Sequence, residues 1–138
     1  MECYRDVVVT TPGTMIVSSN YPSNYENFCD SQLTINFEQR IFLRFESFDI
    51  EHHADCILDW LEVSDEGSSD DNLIGTKMCG SSIPDPIVSF GNSLKLTFHS
   101  DDSVGLKGFK IKADLGTKKS RPFNNVLGGS IYKQYLST

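Results

Sequence analysis

The sequence contains no long apolar run. Its longest uninterrupted stretches are three residues, as in Val7-Val8-Val9, which excludes a membrane-spanning helix and also a signal-peptide core. Met1-Glu2-Cys3 therefore reads as an artificial start or a trimmed mature end, with any export signal already removed. No stretch sustains an i, i+3, i+4 apolar stripe long enough for a helix. There is no C-x-x-C pair, the usual source of zinc ligands, and no Asn-x-Ser or Asn-x-Thr sequon. Nor is there a Gly-x-Ser-x-Gly elbow, a phosphate-cradling glycine loop or an internal repeat.

What remains is enough for one domain. A chain of 138 residues buries roughly two-thirds of its unfolded surface on folding. A hydrophobic share of 38 % with 11 % aromatics is too rich for a disordered tail. Charge is unevenly placed. All nineteen acids lie between Glu2 and Asp114 beside eight Lys or Arg, a formal −11. The other four cations, Lys118, Lys119, Arg121 and Lys133, occupy a C-terminal stretch without any acid. This distribution offers no broad basic footprint for nucleic acid. An acidic body instead attracts metal ions or basic patches on other proteins.

Cys3, Cys29, Cys56 and Cys79 are each more than twenty residues from the next. An even count at wide spacing points to two disulfides in an oxidising compartment, and three pairings are open. The sequential one closes two local loops, each contributing roughly 3 kcal/mol in the chain-entropy model.

Apolar residues recur at every second position, with mostly polar residues between them. Leu33, Ile35 and Phe37 form one such series, Ile41, Leu43 and Phe45 a second, Leu94, Leu96 and Phe98 a third, and Phe109, Ile111 and Ala113 a fourth. Period two marks strands with one buried face. Trp60, Leu61 and Val63 predict another strand and Ile74 to Met78 a shorter one. Turn-forming segments separate them, among them Thr11-Pro12-Gly13, residues 20–24, residues 66–70, Pro84-Asp85-Pro86 and Gly91-Asn92. The class expected is all-β, an antiparallel sandwich. Residues 117–138, rich in Lys, Ser, Asn and Gly, read as a basic linker or C-terminal extension. Within it Ile131, Tyr132, Tyr135 and Leu136 could dock on the body.

Landmarks along residues 3–116 resemble, in order, those of the CUB domain. This extracellular jelly-roll sandwich occurs in complement and tolloid-type proteases, neuropilins, cubilin and spermadhesins. Gly13-Thr14-Met15-Ile16 through Asn20-Tyr21-Pro22-Ser23-Asn24-Tyr25 resembles the opening G-x-I…N-Y-P-x-x-Y, followed by Cys29. Phe45 to Glu51 and then Cys56 to Val63 resemble F-x-x-F-D-x-E…C-x-x-D-x-L-E-V. Gly75, Cys79-Gly80 and Pro84 follow, and Phe98-His99-Ser100-Asp101 with Gly108-Phe109 resembles F-x-S-D…G-F. The resemblance implies the pairs Cys3–Cys29 and Cys56–Cys79. It also implies a CUB-like domain over 1–116 with 117–138 as the extension. Two residues depart from the pattern: Ser31 stands where Trp is common, weakening one core contact, and Ser19 replaces a Pro.

In the calcium-binding branch, the Glu of F-D-x-E, the Asp three after the third cysteine and the Asp of S-D are ligands. The matching residues are Glu51, Asp59 and Asp101, with Ser103 at a further position of the last loop, whose side chain or carbonyl helps complete the metal site, and Tyr25 as the tyrosine that steadies an acidic ligand. The chemistry is coherent. Three carboxylates brought to one spot repel unless a cation neutralises them, and Ca2+ takes six to eight oxygen ligands. Asp55 and Asp102 contribute only to the field. The resemblance further implies that oxygens of Glu51, Asp101 and Ser103 left facing outward receive a Lys or Arg of a secreted or cell-surface protein.

Other constellations are weaker. His99, Ser100 and Asp101 have the composition of a catalytic triad, but consecutive strand residues alternate faces and cannot form the required chain of hydrogen bonds. Asp70-Asp71 lies in a Ser- and Gly-rich turn. His52-His53 could bind zinc, yet vicinal histidines are ordinarily solvated. The expectation is a secreted, non-enzymatic, calcium-dependent interaction module. The alternatives are a spermadhesin-like glycan binder, or a non-catalytic exosite or spacer of a larger protease or receptor.

Overall fold

The computed structural model describes Cys3, residues 6–65 and residues 73–116, with the backbone alone at 73–76. The expected turn at 66–70, Asp70-Asp71 and the extension from residue 117, with its four apolar docking candidates, lie outside the described residues.

Nine strands follow one another along the chain: β1 (Val7–Val9), β2 (Thr14–Val17), β3 (Asp30–Asn36), β4 (Ile41–Asp49), β5 (Trp60–Ser64), β6 (Leu73–Met78), β7 (Ile87–Val88), β8 (Ser93–His99) and β9 (Gly108–Leu115). They form two sheets. The five-stranded one runs β1-β3-β8-β5-β6 and the four-stranded one β2-β9-β4-β7. The all-β sandwich expected from alternation and the two disulfides expected from the cysteine spacing are the architecture found. One pairing differs from a purely antiparallel scheme: β1 lies parallel to β3, with Val7 opposite Leu33. A three-residue edge strand tethered by Cys3–Cys29 can pair in either direction, and nothing in its composition sets which.

The core lies between the sheets. Leu33 and Ile35 of β3, Leu61 and Val63 of β5, and Leu94, Leu96 and Phe98 of β8 face Ile41, Leu43 and Phe45 of β4 and Phe109, Ile111 and Ala113 of β9. Each fully buried side chain of this size contributes roughly 1.5–3 kcal/mol. Phe98 packs edge-on against both Tyr25 and Phe109, at 5.0 and 5.5 Å between ring centroids. Ser31 is buried opposite Phe98 in the β3–β8 register. Ser19 is also buried, and its hydroxyl has no hydrogen-bond partner.

Strand β4 carries a bulge between Phe45 and Ser47 against β9. An extra residue reverses the phase of a strand. The inward set accordingly passes from Ile41, Leu43 and Phe45 to Phe48 and Ile50. That shift delivers Glu51, just beyond the strand, to the end of the sandwich where β9 begins. Disulfide Cys56–Cys79 and the Ile50–Gly80 bridge, with hydrogen bonds of 3.0 and 2.8 Å, tie the following loop to the end of β6.

Gly108 opens β9 in the left-handed conformation, φ +82°. A Cβ there would stand 1.9 Å from the Ser18 hydroxyl, which accepts the Phe109 N–H at 3.1 Å. Gly108→Ala combines a left-handed penalty of roughly 1–2 kcal/mol with a displaced buried hydrogen bond. It should lower the denaturant-derived stability by about 2–4 kcal/mol, with the spectrum of a β-sandwich retained below the midpoint.

Candidate metal centre

Three loops meet at one end of the sandwich. The first leads into β3 and carries Tyr25, the second joins β4 to β5 and carries Glu51 and Asp59, and the third joins β8 to β9 and carries Asp101 and Ser103. The first and third are stitched together by backbone hydrogen bonds, Tyr25 N–H to Leu106 carbonyl at 2.9 Å and Phe28 N–H to Asp101 carbonyl at 2.8 Å. Gly105 packs so closely that a Cβ would lie 2.3 Å from the Tyr25 carbonyl oxygen. Ser100, wholly buried, adds a side-chain link by accepting the Cys29 N–H and donating to the Glu26 carbonyl, both at 2.8 Å.

At the junction, carboxylate oxygens of Glu51, Asp59 and Asp101 lie within 4.8 Å of one another. Asp59 has no solvent exposure. Its Oδ2 accepts the Tyr25 hydroxyl at 2.6 Å and its Oδ1 the Asp101 N–H at 2.8 Å. The same Tyr25 hydroxyl accepts the Glu51 N–H at 3.1 Å, so one phenol oxygen ties two of the acids' positions together. Glu51 Oε1 is buried without a hydrogen-bond partner. Ser103 is exposed, and its N–H points to Asp101 Oδ1 at 3.3 Å. Arg44 and Lys110 both pair with Glu46, and His99 contacts Asp30, so none of these contacts takes in any of the three acids.

The electrostatics follow from this crowding. Burial, and then the charges of Asp59 and Asp101, hold the Glu51 carboxyl above the ordinary 4.5, with a smaller push from Asp102. Asp59 is also raised from 3.8, chiefly by burial, although its bonds from Tyr25 and the Asp101 N–H pull the other way. Burial and the neighbouring Asp59 push the Tyr25 phenol far upward, so it stays a proton donor at any physiological pH.

The histidines are placed otherwise. His53 Nδ1 accepts the Asp55 N–H at 3.0 Å, His52 lies beside Gly80, and neither joins the acidic group. His99 bonds Asp30 at 2.6 Å and stacks on Trp60. It is not linked to Ser100 or Asp101, so no triad forms. A cleft of about 350 Å³ lined by Asp6, Asp30, Ser31, Gln32 and Thr97 shares no residue with the acidic group. Sequence reasoning missed Ser100 as the staple between loops, because an isolated Ser at a strand end carries no signature of its partners.

A family model described as the CUB domain matches residues 3–112. The chain belongs to the CUB domain family. It is 38 % identical over 111 residues to human tolloid-like protein 1, covering 79 % of this chain and 11 % of that protein. It is 36 % identical over 135 residues to human tumor necrosis factor-inducible gene 6 protein, covering 94 % and 48 %. The crystal structure of the MASP-1 CUB2 domain bound to Ca2+ superposes with a TM-score of 0.70 at 27 % identity, over 80 % of this chain and 98 % of that one. The chain thus spans less than half the length of either curated relative. CUB domains are non-catalytic interaction modules of larger extracellular proteins, and this disulfide-bonded CUB domain is secreted or extracellular.

Two outcomes follow from the site itself. Tyr25→Phe removes the donor to a buried carboxylate and the acceptor of the Glu51 N–H. It should cost about 1.5–3 kcal/mol in chemical denaturation. The raised acids also set a sign. Their folded form holds protons that the unfolded form has released, so this stability is present at low pH and lost as pH rises through the folded-state values. In chelator, acidification from neutrality towards the ordinary carboxylate range should therefore raise the melting temperature of the wild type relative to Glu51→Gln. A gap between the two that stays constant with pH would contradict the assignment.

Proposed function

We propose that this CUB domain is a calcium-dependent protein-interaction module, with Glu51, Asp59 and Asp101 as carboxylate ligands and Ser103 completing the loop. The observation that carries the reading is the convergence of three carboxylates with no cationic side chain among the described residues to balance them. Oxygens on opposite sides of an ion with bonds of about 2.3–2.6 Å are about 5 Å apart. Oxygens lying within 4.8 Å of one another therefore suit one such ion, and the unpartnered Glu51 oxygen is an acceptor in search of a cation. The all-oxygen set favours Ca2+ over softer metals. The Ca2+ bound by the MASP-1 CUB2 domain supports the same choice.

Calcium would bridge the three loops and leave outward-facing oxygens of Glu51, Asp101 and Ser103 to receive a Lys or Arg from a secreted or cell-surface partner through charge-assisted hydrogen bonds. Ordered loops lose less entropy when the partner arrives. Tyr25 serves as support, holding Asp59 from behind. Residues 3–116 carry this activity in our reading, and residues 117–138 form a basic extension beyond it.

Calcium titration by calorimetry tests the site. The wild type should bind one ion and gain about 2.7 kcal/mol of stability at a hundredfold excess of free calcium over the dissociation constant. Asp101→Asn should lose that gain. Glu38→Gln, which makes the same change of charge in the exposed turn at the other end of β4, should retain it. Equal and small effects of the two substitutions would leave only a general acidic field, and an unchanged melting curve with and without calcium would remove the metal.

A further inference from the structure

Each of the three loops that meet at the acids offers an apolar side chain to water. Phe28 is 76 % exposed, Ile57 58 % and Val104 51 %. Each is tied closely to the acidic group. The Phe28 N–H bonds the Asp101 carbonyl, Ile57 precedes Asp59 by two residues, and Val104 directly follows Ser103, whose N–H reaches Asp101.

The backbone at these points is unusual. Phe28 has φ +55°, Val104 φ +61°, and Cys56, next to Ile57, φ +50°. Left-handed backbone is the province of Gly and Asn, and a bulky or β-branched residue there is an outlier. Such outliers concentrate where a function holds them in place. Stability alone would favour a polar, permissive residue at 28 and at 104. The sequence instead has Phe and Val there, facing water. The bonds from the Phe28 N–H to the Asp101 carbonyl and from the Tyr25 N–H to the Leu106 carbonyl hold the loops that carry Phe28 and Val104 together.

We propose that Phe28, Ile57 and Val104 form an apolar rim around the acidic site, and that the partner's Lys or Arg is flanked by large apolar residues that seat on it. This rests on the cation-receiving role proposed above. The occupant is identified by complementarity: a centre of three carboxylates that keeps one negative charge after a divalent ion binds selects the basic residue, and exposed aromatic and aliphatic neighbours select the flanks. A body carrying nineteen acids, all within residues 2–114, repels an anionic bilayer, which favours a protein segment over a membrane.

The test uses isotope-labelled protein in millimolar calcium and two blocked peptides, Gly-Gly-Lys-Gly-Gly and Gly-Leu-Lys-Leu-Gly, titrated by NMR. The Leu-flanked peptide should bind about tenfold tighter, the equivalent of about 1.4 kcal/mol, with shifts at residues 28, 57 and 104. The double variant Phe28→Asn, Val104→Asn suits left-handed backbone. It should keep calcium affinity, the Gly-flanked affinity and a melting temperature at or above wild type, while losing the tenfold preference. Equal affinities in the wild type that both vanish in Asp101→Asn would overturn the rim and leave the cation site standing. A preference that survives the double variant would also overturn it. Binding of neither peptide would overturn the rim together with the cation-receiving role. Calcium-dependent sedimentation with phosphatidylserine vesicles, lost in the double variant, would assign these side chains to a membrane and overturn the proposal.

Discussion

Asp59 carries a carboxylate with no access to water, and an ion so placed is tolerated only when nearby donors replace its hydration. The donors here come from two other loops. The Tyr25 hydroxyl approaches from the segment before β3, and the Asp101 N–H from the segment after β8. Opening either loop would break one of the two hydrogen bonds that stand in for the hydration of that carboxylate. The loops are therefore held closed by the charge they surround. Tyr25 is the indispensable intermediary, because its ring packs on Phe98 in the core while its oxygen also receives the Glu51 N–H.

Two features of the frame bring Glu51 to that centre. The β4 bulge turns Phe48 and Ile50 inward, placing the residue after Ile50 at the rim of the sandwich. Cys56–Cys79 and the Ile50–Gly80 hydrogen bonds then confine the loop that runs on to Asp59. The stiffness of the acidic site comes from sheet register and covalent closure. This matters for like charges: a flexible loop would relieve their repulsion by swinging one carboxylate into solvent, and a fixed loop keeps the repulsion stored until protons or a cation remove it.

The legibility of the fold in the sequence was uneven, for physical reasons. Strands β3, β8 and β9 alternate cleanly because one face of each is sealed against the opposite sheet, and their buried residues are those the period of two selects. The parallel pairing of β1 was not legible, since three valines carry no directional signal. The bulge was hidden as well: Glu46-Ser47 looks like an ordinary polar pair, and only the reappearance of apolar residues at 48 and 50 hints at a phase change. The acids of the candidate site were named through ordered family landmarks and not through local pattern, because Glu51 and Asp101 are fifty residues apart and meet only through topology. The stapling role of Ser100, the burial of Asp65 and the left-handed backbone at Phe28 and Val104 had no counterpart in the sequence reading. Asp65 is buried and binds the Phe90 N–H. A buried polar group declares itself by its partners, and partners are a property of the fold.

The net charge of the centre bears on how one site could receive two cations in succession. Three carboxylates bear three negative charges, and a divalent ion leaves one uncancelled, with Asp102 close enough to act on Glu51. Under the calcium reading the loaded site therefore remains attractive to a second, monovalent cation. It no longer has to be held together against the mutual repulsion of its ligands. The first cation stabilises the loops, and the residual charge directs the second. A site with four carboxylates would hold the metal more tightly but require a larger desolvation of its surplus charge when a partner covers it. A site with two would be neutral once loaded, leaving the partner's lysine no more attracted there than elsewhere on an acidic surface. Under that reading, three acids, one of them fully buried and two partly exposed, is the count at which metal retention and partner recognition can share the same oxygens.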